Sequence, residues 1–128
     1  MILSGVTAGS TTLTGRSDPT CPCTSSPCDG KIHVFDCGPD RICHDDDDFE
    51  IAVPVTKNAD GTFTIMLTTP LQPGQIIYAT DGCFDPLLIG PSVIVSPAVA
   101  PVLSRGMFAA LIMVLTALAV LTLRGSRG

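Results

Sequence analysis

The sequence predicts an all-β protein, an antiparallel β-sandwich of about seven short strands, followed by one C-terminal transmembrane α-helix. Three observations lead to this fold class. Short apolar segments alternate with turn residues through residues 1–95. Residues 106–123 contain no charged side chain. All twelve acidic residues lie between Asp18 and Asp85, so the two parts of the chain are suited to different environments.

The first three strands are expected at residues 2–6, 11–16 and 31–35. A short turn containing Gly9 joins the first two into a hairpin. In the third strand Ile32 and Val34 lie on one face, because successive side chains of a strand point to opposite faces. This face is expected to be buried.

Residues 49–55 form the fourth expected strand, with apolar side chains recurring at a period of two. These side chains are Phe49, Ile51, Val53 and Val55. Because Pro54 has no N–H group to donate, we expect the strand at a sheet edge. Asp60-Gly61 favours a tight turn, across which Val55 and Phe63 are expected to face each other.

The remaining strands continue this pattern. Phe63, Ile65 and Leu67 alternate inward, and the turn at Pro73-Gly74 leads to strands at residues 75–80 and 92–95. The expected organisation has four parts. They are a sandwich at 1–95 with a cysteine-rich insertion at 17–48, a Pro-containing linker and motif at 96–105, a transmembrane helix at 106–123, and a basic cytoplasmic tail at 124–128.

Eighteen uncharged residues at 106–123 would span about 27 Å as a helix, close to the thickness of a hydrocarbon core. A helix that is apolar on every side has no place in the core of so small a domain, so the membrane is favoured over a buried helix. The segment is followed by two arginines, Arg124 and Arg127, and preceded by one, Arg105. Because the more basic side of a membrane helix faces the cytoplasm, we expect the tail in the cytoplasm and the body outside it.

No signal peptide is recognisable at the N-terminus, which has neither a basic start nor a long apolar run. Six cysteines in the body nevertheless indicate an oxidising compartment. We therefore expect the chain to be the C-terminal part of a longer exported protein, with Met1 not necessarily its true start. The alternative is a tail-anchored cytosolic protein with reduced or metal-bound cysteines.

The six cysteines are expected to form three disulfides. They are Cys21, Cys23, Cys28, Cys37, Cys43 and Cys83. The strand positions put the loop at 21–28 at the same end of the sandwich as Cys83, and Cys37 and Cys43 at the other end. This favours Cys37–Cys43, one bridge within the loop, and one from the loop to Cys83. The alternative is a zinc site drawn from the five cysteines at 21–43 and His44, although paired zinc-ligand spacing is missing.

Four consecutive carboxylates at Asp45, Asp46, Asp47 and Asp48 suggest two interpretations. A calcium site is one, because Ca²⁺ takes several carboxylate oxygens. A solvated acidic loop is the other and is favoured, because adjacent side chains in an extended chain point apart. No other cofactor is expected.

Catalysis and nucleic-acid binding are not expected. His33 and His44 have no nucleophile in a recognisable setting beside them. Residues 1–100 carry twelve acidic and only four basic residues, whereas nucleic-acid binding depends on neutralising phosphates. With no Trp and a single Tyr, Tyr78, the sequence does not predict an aromatic ligand-binding surface either.

Two segments resemble the second half of the Ig-like repeats found in bacterial adhesins and other surface proteins. Residues 61–65 read Gly-Thr-Phe-Thr-Ile, and residues 70–81 read Pro-Leu-Gln-Pro-Gly-Gln-Ile-Ile-Tyr-Ala-Thr-Asp. Residues 5–15 resemble the first hairpin of those repeats, and 92–95 their closing strand. The resemblance implies an Ig-like sandwich and departs at Cys21 to Cys43, so no function is carried over for that insertion.

The C-terminus resembles the bacterial sorting signals that exosortase-type membrane enzymes process. The motif positions are Pro101, Val102, Leu103, Ser104 and Gly106, followed by the apolar segment and the basic Arg124 and Arg127. The matching variant has Pro-Thr-Leu-Ser, so Val102 departs from it, and the acidic-aromatic pair after the serine is missing. The resemblance implies a processing enzyme as a partner, and an uncleaved anchor is the alternative.

Together these features predict a non-catalytic structural or adhesive module of the cell envelope, anchored in the lipid bilayer with its body outside the cytoplasm. An unidentified surface ligand or neighbouring Ig-like repeats are its expected partners. Two alternatives remain at this point: the tail-anchored cytosolic protein with a Cys/His metal site, and the anchor fragment of a surface hydrolase.

Overall fold

The computed structural model describes residues 1–99 and Met113. Within residues 1–99 the chain is all-β, with two antiparallel sheets and no helix, as the sequence predicted. Eight strands are present. They are β1 (Ile2–Ser4), β2 (Thr12–Arg16), β3 (Ile32–Asp36), β4 (Phe49–Glu50), β5 (Thr62–Met66), β6 (Ile76–Asp81), β7 (Leu88–Ile89) and β8 (Val93–Ile94).

The strands divide into a three-stranded sheet, in the order β1-β2-β5, and a five-stranded sheet, in the order β4-β3-β6-β7 with β8 also paired to β6. Apolar side chains from both sheets form one core. Its buried members are Leu13, Ile32, Val34, Ile51, Ala52, Phe63, Ile65, Leu71, Ile77, Ala79 and Val95. The predicted burial of Ile32 and Val34 is therefore confirmed, and His33 and Phe35 lie on the outer face of the same strand.

The turns predicted at Asp60-Gly61 and Pro73-Gly74 are present, and the glycine of each has a positive φ. β1 and β2 form the expected antiparallel hairpin. In the Asp60-Gly61 turn, the N–H of Asn58 donates to the carbonyl of Thr62 at 2.8 Å, and Gly61 has a φ of +84°. Residues that carry a Cβ atom rarely adopt this conformation. At the second turn Gly74 has a φ of +82°.

The structure corrects the predicted strand at residues 49–55. Phe49 and Glu50 pair with β3 as a short strand, and Val55 meets β3 again only as an isolated bridge, while Phe49 and Val53 are 51% and 66% exposed. The N–H of Ile51 donates to Val34 in the five-stranded sheet, but its carbonyl accepts from Thr68, beyond the end of the other sheet. The segment therefore passes between the sheets, and no single face is buried along its whole length.

The expected pairing of Val55 with Phe63 is also wrong. Val55 bridges Ile32 of β3, whereas Phe63 pairs with Gly15 of β2. The Asp60-Gly61 turn connects the two sheets of the sandwich, so the strands on either side of it separate. β7 was not predicted, because it has only two residues between turn-forming prolines.

Gly15 lies beneath the ring of Phe63, and this contact leads to a prediction. A Cβ atom at Gly15 would lie 2.6 Å from the backbone oxygen of Ile2 and closer still to the Phe63 ring. Gly15→Ala is expected to lower the free energy of unfolding by about 1–3 kcal/mol through overpacking. Urea denaturation measures the loss. Gly90→Ala is the control, because its Cβ would meet its neighbours at an ordinary 3.5 Å. Equal stability of the two variants would contradict the prediction.

The chain divides into two units, Met1–Ala98 and Val99–Gly128. The predicted helix at 106–123 lies outside the described residues except for Met113, which is helical. The motif at Pro101, Val102, Leu103, Ser104 and Gly106 lies outside them as well, as do Arg124 and Arg127 of the tail. In the described part of the chain, no helix has the length and apolar character needed to cross a membrane.

Candidate functional site

A groove of about 430 Å³ lies on the outer face of the five-stranded sheet. We call it the sheet-face groove. Strands β3, β6 and β7 and the turn before β7 supply part of its lining, His33, Phe35, Tyr78, Thr80, Leu87 and Ile89. Two loops supply the rest, Pro27 and Asp29 from one and His44 and Asp45 from the other. The groove falls within the size range of small-ligand sites.

An aromatic row lies along this groove. The rings of Phe35 and Tyr78 are direct cross-strand partners, stacked with centroids 5.4 Å apart. His33 stacks against Phe35 at 6.2 Å, and His44 meets the Tyr78 ring edge-on at 4.3 Å. This row was not predicted from the sequence, which has one tyrosine and no tryptophan. The register of β3 and β6 places Phe35 beside Tyr78, and His33 lies two residues before Phe35 on the same face. The loop before β4 brings His44 to the tyrosine ring.

His33 is held by a carboxylate on each side. Its Nε2 lies 2.7 Å from Oδ2 of Asp29, and its Nδ1 lies 2.7 Å from Oε1 of Glu50. Each ring nitrogen of His33 therefore has a carboxylate partner. Partial burial acts to raise the pKa of Asp29, but hydrogen bonds from the Lys31 backbone and from His33 outweigh it, so this pKa lies below its usual value.

Tyr78 is fixed at the other end of the row. Its hydroxyl donates to Oδ2 of Asp48 at 2.7 Å, and the backbone N–H of His44 donates to the same oxygen at 2.6 Å. Burial, followed by the neighbouring carboxylate of Asp48, raises the pKa of Tyr78 well above its usual value. The phenol therefore stays neutral and remains a hydrogen-bond donor. Through its bond to the His44 backbone, Asp48 also holds the His44 ring edge-on to the tyrosine ring.

Two of the four consecutive aspartates come together with a third carboxylate from earlier in the same loop. Carboxylate oxygens of Asp45 and Asp47 lie with that of Asp40 within 4.8 Å of one another, all exposed. Asp48 is directed to Tyr78, and Asp46 is not part of the group. The carboxylate of Asp47 raises the pKa of Asp45.

All six cysteines form disulfides, as predicted, and the pairs are Cys21–Cys83, Cys23–Cys28 and Cys37–Cys43. The first two hold the loop that leads to Pro27 and Asp29, and the third closes the loop directly before His44. Both loops at the groove are thus covalently tied. The alternative zinc site would require thiolates, which bridged cysteines do not offer. Three bridges indicate an oxidising environment.

A buried ion pair that the sequence does not reveal lies beside the Cys21–Cys83 bridge. Nζ of Lys57 lies 2.6 Å from Oδ2 of Asp81, and the two side chains are 4% and 0% exposed. Ser17 donates to the same carboxylate oxygen at 2.6 Å, and the backbone N–H of Cys83 donates to Oδ1 at 3.0 Å. The Lys57 ammonium also donates to the carbonyl of Thr20. These contacts join three loops at one end of the sandwich.

Compared with protein-family models, curated proteins and solved structures, the chain matches none of them.

Proposed function

We propose that this chain is a non-catalytic binding module of the cell envelope, an Ig-like domain exposed outside the cytoplasm and held in the membrane by the segment at 106–123. The observation that carries the proposal is a solvent-open groove whose two flanking loops are tied by disulfides. Disulfides persist in oxidising compartments, which favours the outside of the cell over the cytosol. Functional residues on loops held by a rigid sheet are typical of binding domains.

The strand order supports the Ig-like assignment. β2 pairs with β5 in one sheet and β3 with β6 in the other, so the chain changes sheets between β2 and β3, between β4 and β5, and between β5 and β6. Two packed antiparallel sheets with such crossings are typical of Ig-like sandwiches.

A binding role is favoured over catalysis by the state of the groove histidine. Both ring nitrogens of His33 are engaged by carboxylates, of Asp29 and Glu50, so neither is available to take a proton from a nucleophile. The hydroxyl of Tyr78 is engaged by Asp48 in the same way. These hydrogen bonds fix the side chains that form the groove surface; they do not activate a reacting atom.

The anchor follows from the sequence alone. Residues 106–123 are uncharged and end before Arg124 and Arg127, which favours insertion with the tail in the cytoplasm. The motif from Pro101 to Ser104 makes an exosortase-type enzyme the proposed processing partner. A chain that keeps its molecular mass after export would be anchored without cleavage.

Ala117→Arg tests the anchor. An arginine at the centre of the segment is expected to cost about 2.5–3.5 kcal/mol of insertion free energy, so most of the protein should leave the membrane fraction. Ala117→Leu is the matched control and should remain there. Equal membrane fractions for the two variants would contradict a spanning segment.

Protease added outside intact spheroplasts tests the location of the body in the same cells. Degradation of residues 1–95, with three disulfides found by mass spectrometry without reductant, is the expected result. A protected body with six free thiols would establish the tail-anchored cytosolic alternative instead.

A further inference from the structure

We propose that the sheet-face groove binds the guanidinium of an arginine in an extended segment of a partner protein. This inference deepens the proposed function, since it rests on the domain being an exposed binding module. It assigns the ligand chemistry from the charge, the aromatic row and the apolar side of the groove.

The charge of the groove is complementary to a cation. Asp29 lines it from one loop and Asp45 from the other, and neither Lys nor Arg is among the residues that line it. The imidazole of His33 is offset by two carboxylates, Asp29 and Glu50, which leaves that end of the groove negative. One of the four basic residues at 1–100, Lys57, is paired with Asp81 in the interior and is not among the residues that line the groove.

The shape of the aromatic row favours arginine over lysine. The ring planes of His33 and Phe35 are within 17° of parallel, and those of Phe35 and Tyr78 are within 21°. A planar cation can add to such a stack of nearly parallel rings. A guanidinium group is planar, so it stacks on aromatic rings and makes bidentate contacts with carboxylates. An ammonium group also binds over a ring, as Lys57 does over Phe84 at 5.0 Å, but it is not planar and contacts a carboxylate as a point charge.

The side formed by β7 supplies an apolar contact. Leu87 and Ile89 are 52% and 48% exposed and lie at successive outward positions. Exposed apolar side chains beside a polar groove are typical of interaction sites. They fit the methylene stem of the arginine or an apolar residue next to it in the partner. The disulfides at the two loops reduce the ordering that binding would otherwise require.

A peptide titration of the full-length protein in a nonionic detergent tests the inference. The probe is an acetylated, amidated hexapeptide that alternates arginine and valine. Amide resonances of Thr80 and Ile89 are expected to shift on binding. The same peptide with citrulline, the uncharged isostere, should bind at least about tenfold more weakly, which corresponds to 1.4 kcal/mol.

Matched variants test whether the carboxylates that line the groove provide the negative charge for binding. Asp29→Asn and Asp45→Asn should each weaken binding by about threefold to tenfold. Asp46→Asn removes the same charge from the same acidic run outside the groove, and it should leave the affinity within about twofold. Asp45→Asn keeps the test independent of folding, because Asp29 also accepts a hydrogen bond from the backbone of Lys31.

Three results would overturn the inference: equal binding of the citrulline peptide, equal weakening by Asp46→Asn, or shifts confined to residues outside the groove. Its failure is distinguishable from failure of the proposed function. If the body is accessible to protease but does not bind the arginine peptide, only the ligand assignment is wrong. A protease-protected body removes the proposed function, whatever the peptide does.

Discussion

Asp81→Ala is expected to lower the free energy of unfolding by about 3–5 kcal/mol. The substitution leaves the ammonium of Lys57 buried without its carboxylate, with a side chain only 4% exposed. It also removes the acceptor of the Ser17 hydroxyl and of the Cys83 backbone N–H. Leaving a buried charge unpaired costs more than the ion pair itself contributes, because the charge has lost its hydration. Urea denaturation followed by far-UV circular dichroism measures the loss.

The double variant Lys57→Met/Asp81→Leu separates the cost of the unpaired charge from the value of the pair. An apolar pair of similar volume avoids the desolvation of both ions, so we expect it to be more stable than either single variant, Lys57→Met or Asp81→Leu. Asp46→Ala, an exposed carboxylate, is the control and should leave stability unchanged. A double variant whose loss equals the sum of the single losses would contradict this account.

The contrast between β3 and residues 49–55 shows which strands the sequence predicts. Alternation in β3 has one cause, since one face of this central strand packs on the core along its whole length. Residues 49–55 have the same alternation, but Ile51 bonds to one sheet through its N–H and towards the other through its carbonyl. Periodicity reports burial in a single environment, so it predicts wrongly where a segment changes environment.

The groove could be predicted only in part, for a similar reason. The cysteine positions were sufficient to predict Cys37–Cys43 and a bridge from the loop at 21–28 to Cys83, because the strands between them set which loops share an end of the sandwich, but not which cysteine of that loop pairs with Cys83. The aromatic row depends instead on the register that aligns Phe35 with Tyr78, which pairs residues 43 positions apart. Composition alone, with one tyrosine and no tryptophan, indicated that no such surface would form. The Lys57–Asp81 pair likewise has no local sequence pattern.

The groove and the buried ion pair depend on the same covalent constraint. Cys21–Cys83 ties the loop after β2 to the end of β6, and the backbone N–H of Cys23 donates to the carbonyl of Cys83 at 3.1 Å. Asp81, two residues before Cys83, accepts from the ammonium that also contacts Thr20. The bridge therefore holds together the two loops that enclose Lys57, and it does so at the base of the loop that reaches Pro27.

Removing this bridge by Cys21→Ala/Cys83→Ala is expected to have the largest effect of the three disulfides. Its cysteines are 62 positions apart, whereas those of Cys23–Cys28 and Cys37–Cys43 are 5 and 6 apart. In the chain-entropy account, a cross-link of this longer span stabilises the fold by about 4 kcal/mol and the short ones by about 2 kcal/mol each, because longer loops lose more freedom in the unfolded chain.

Urea denaturation of the three paired variants, each with its other two bridges intact, checks this order. Cys23→Ala/Cys28→Ala is the closest control, because it removes a bridge from the same loop without releasing that loop from β6. Equal losses for the long and short bridges would show that native contacts, rather than loop length, set the contribution of each disulfide. A loss well above about 4 kcal/mol for the long bridge would mean that the Lys57–Asp81 pair separates with it, since the two then unfold as one unit.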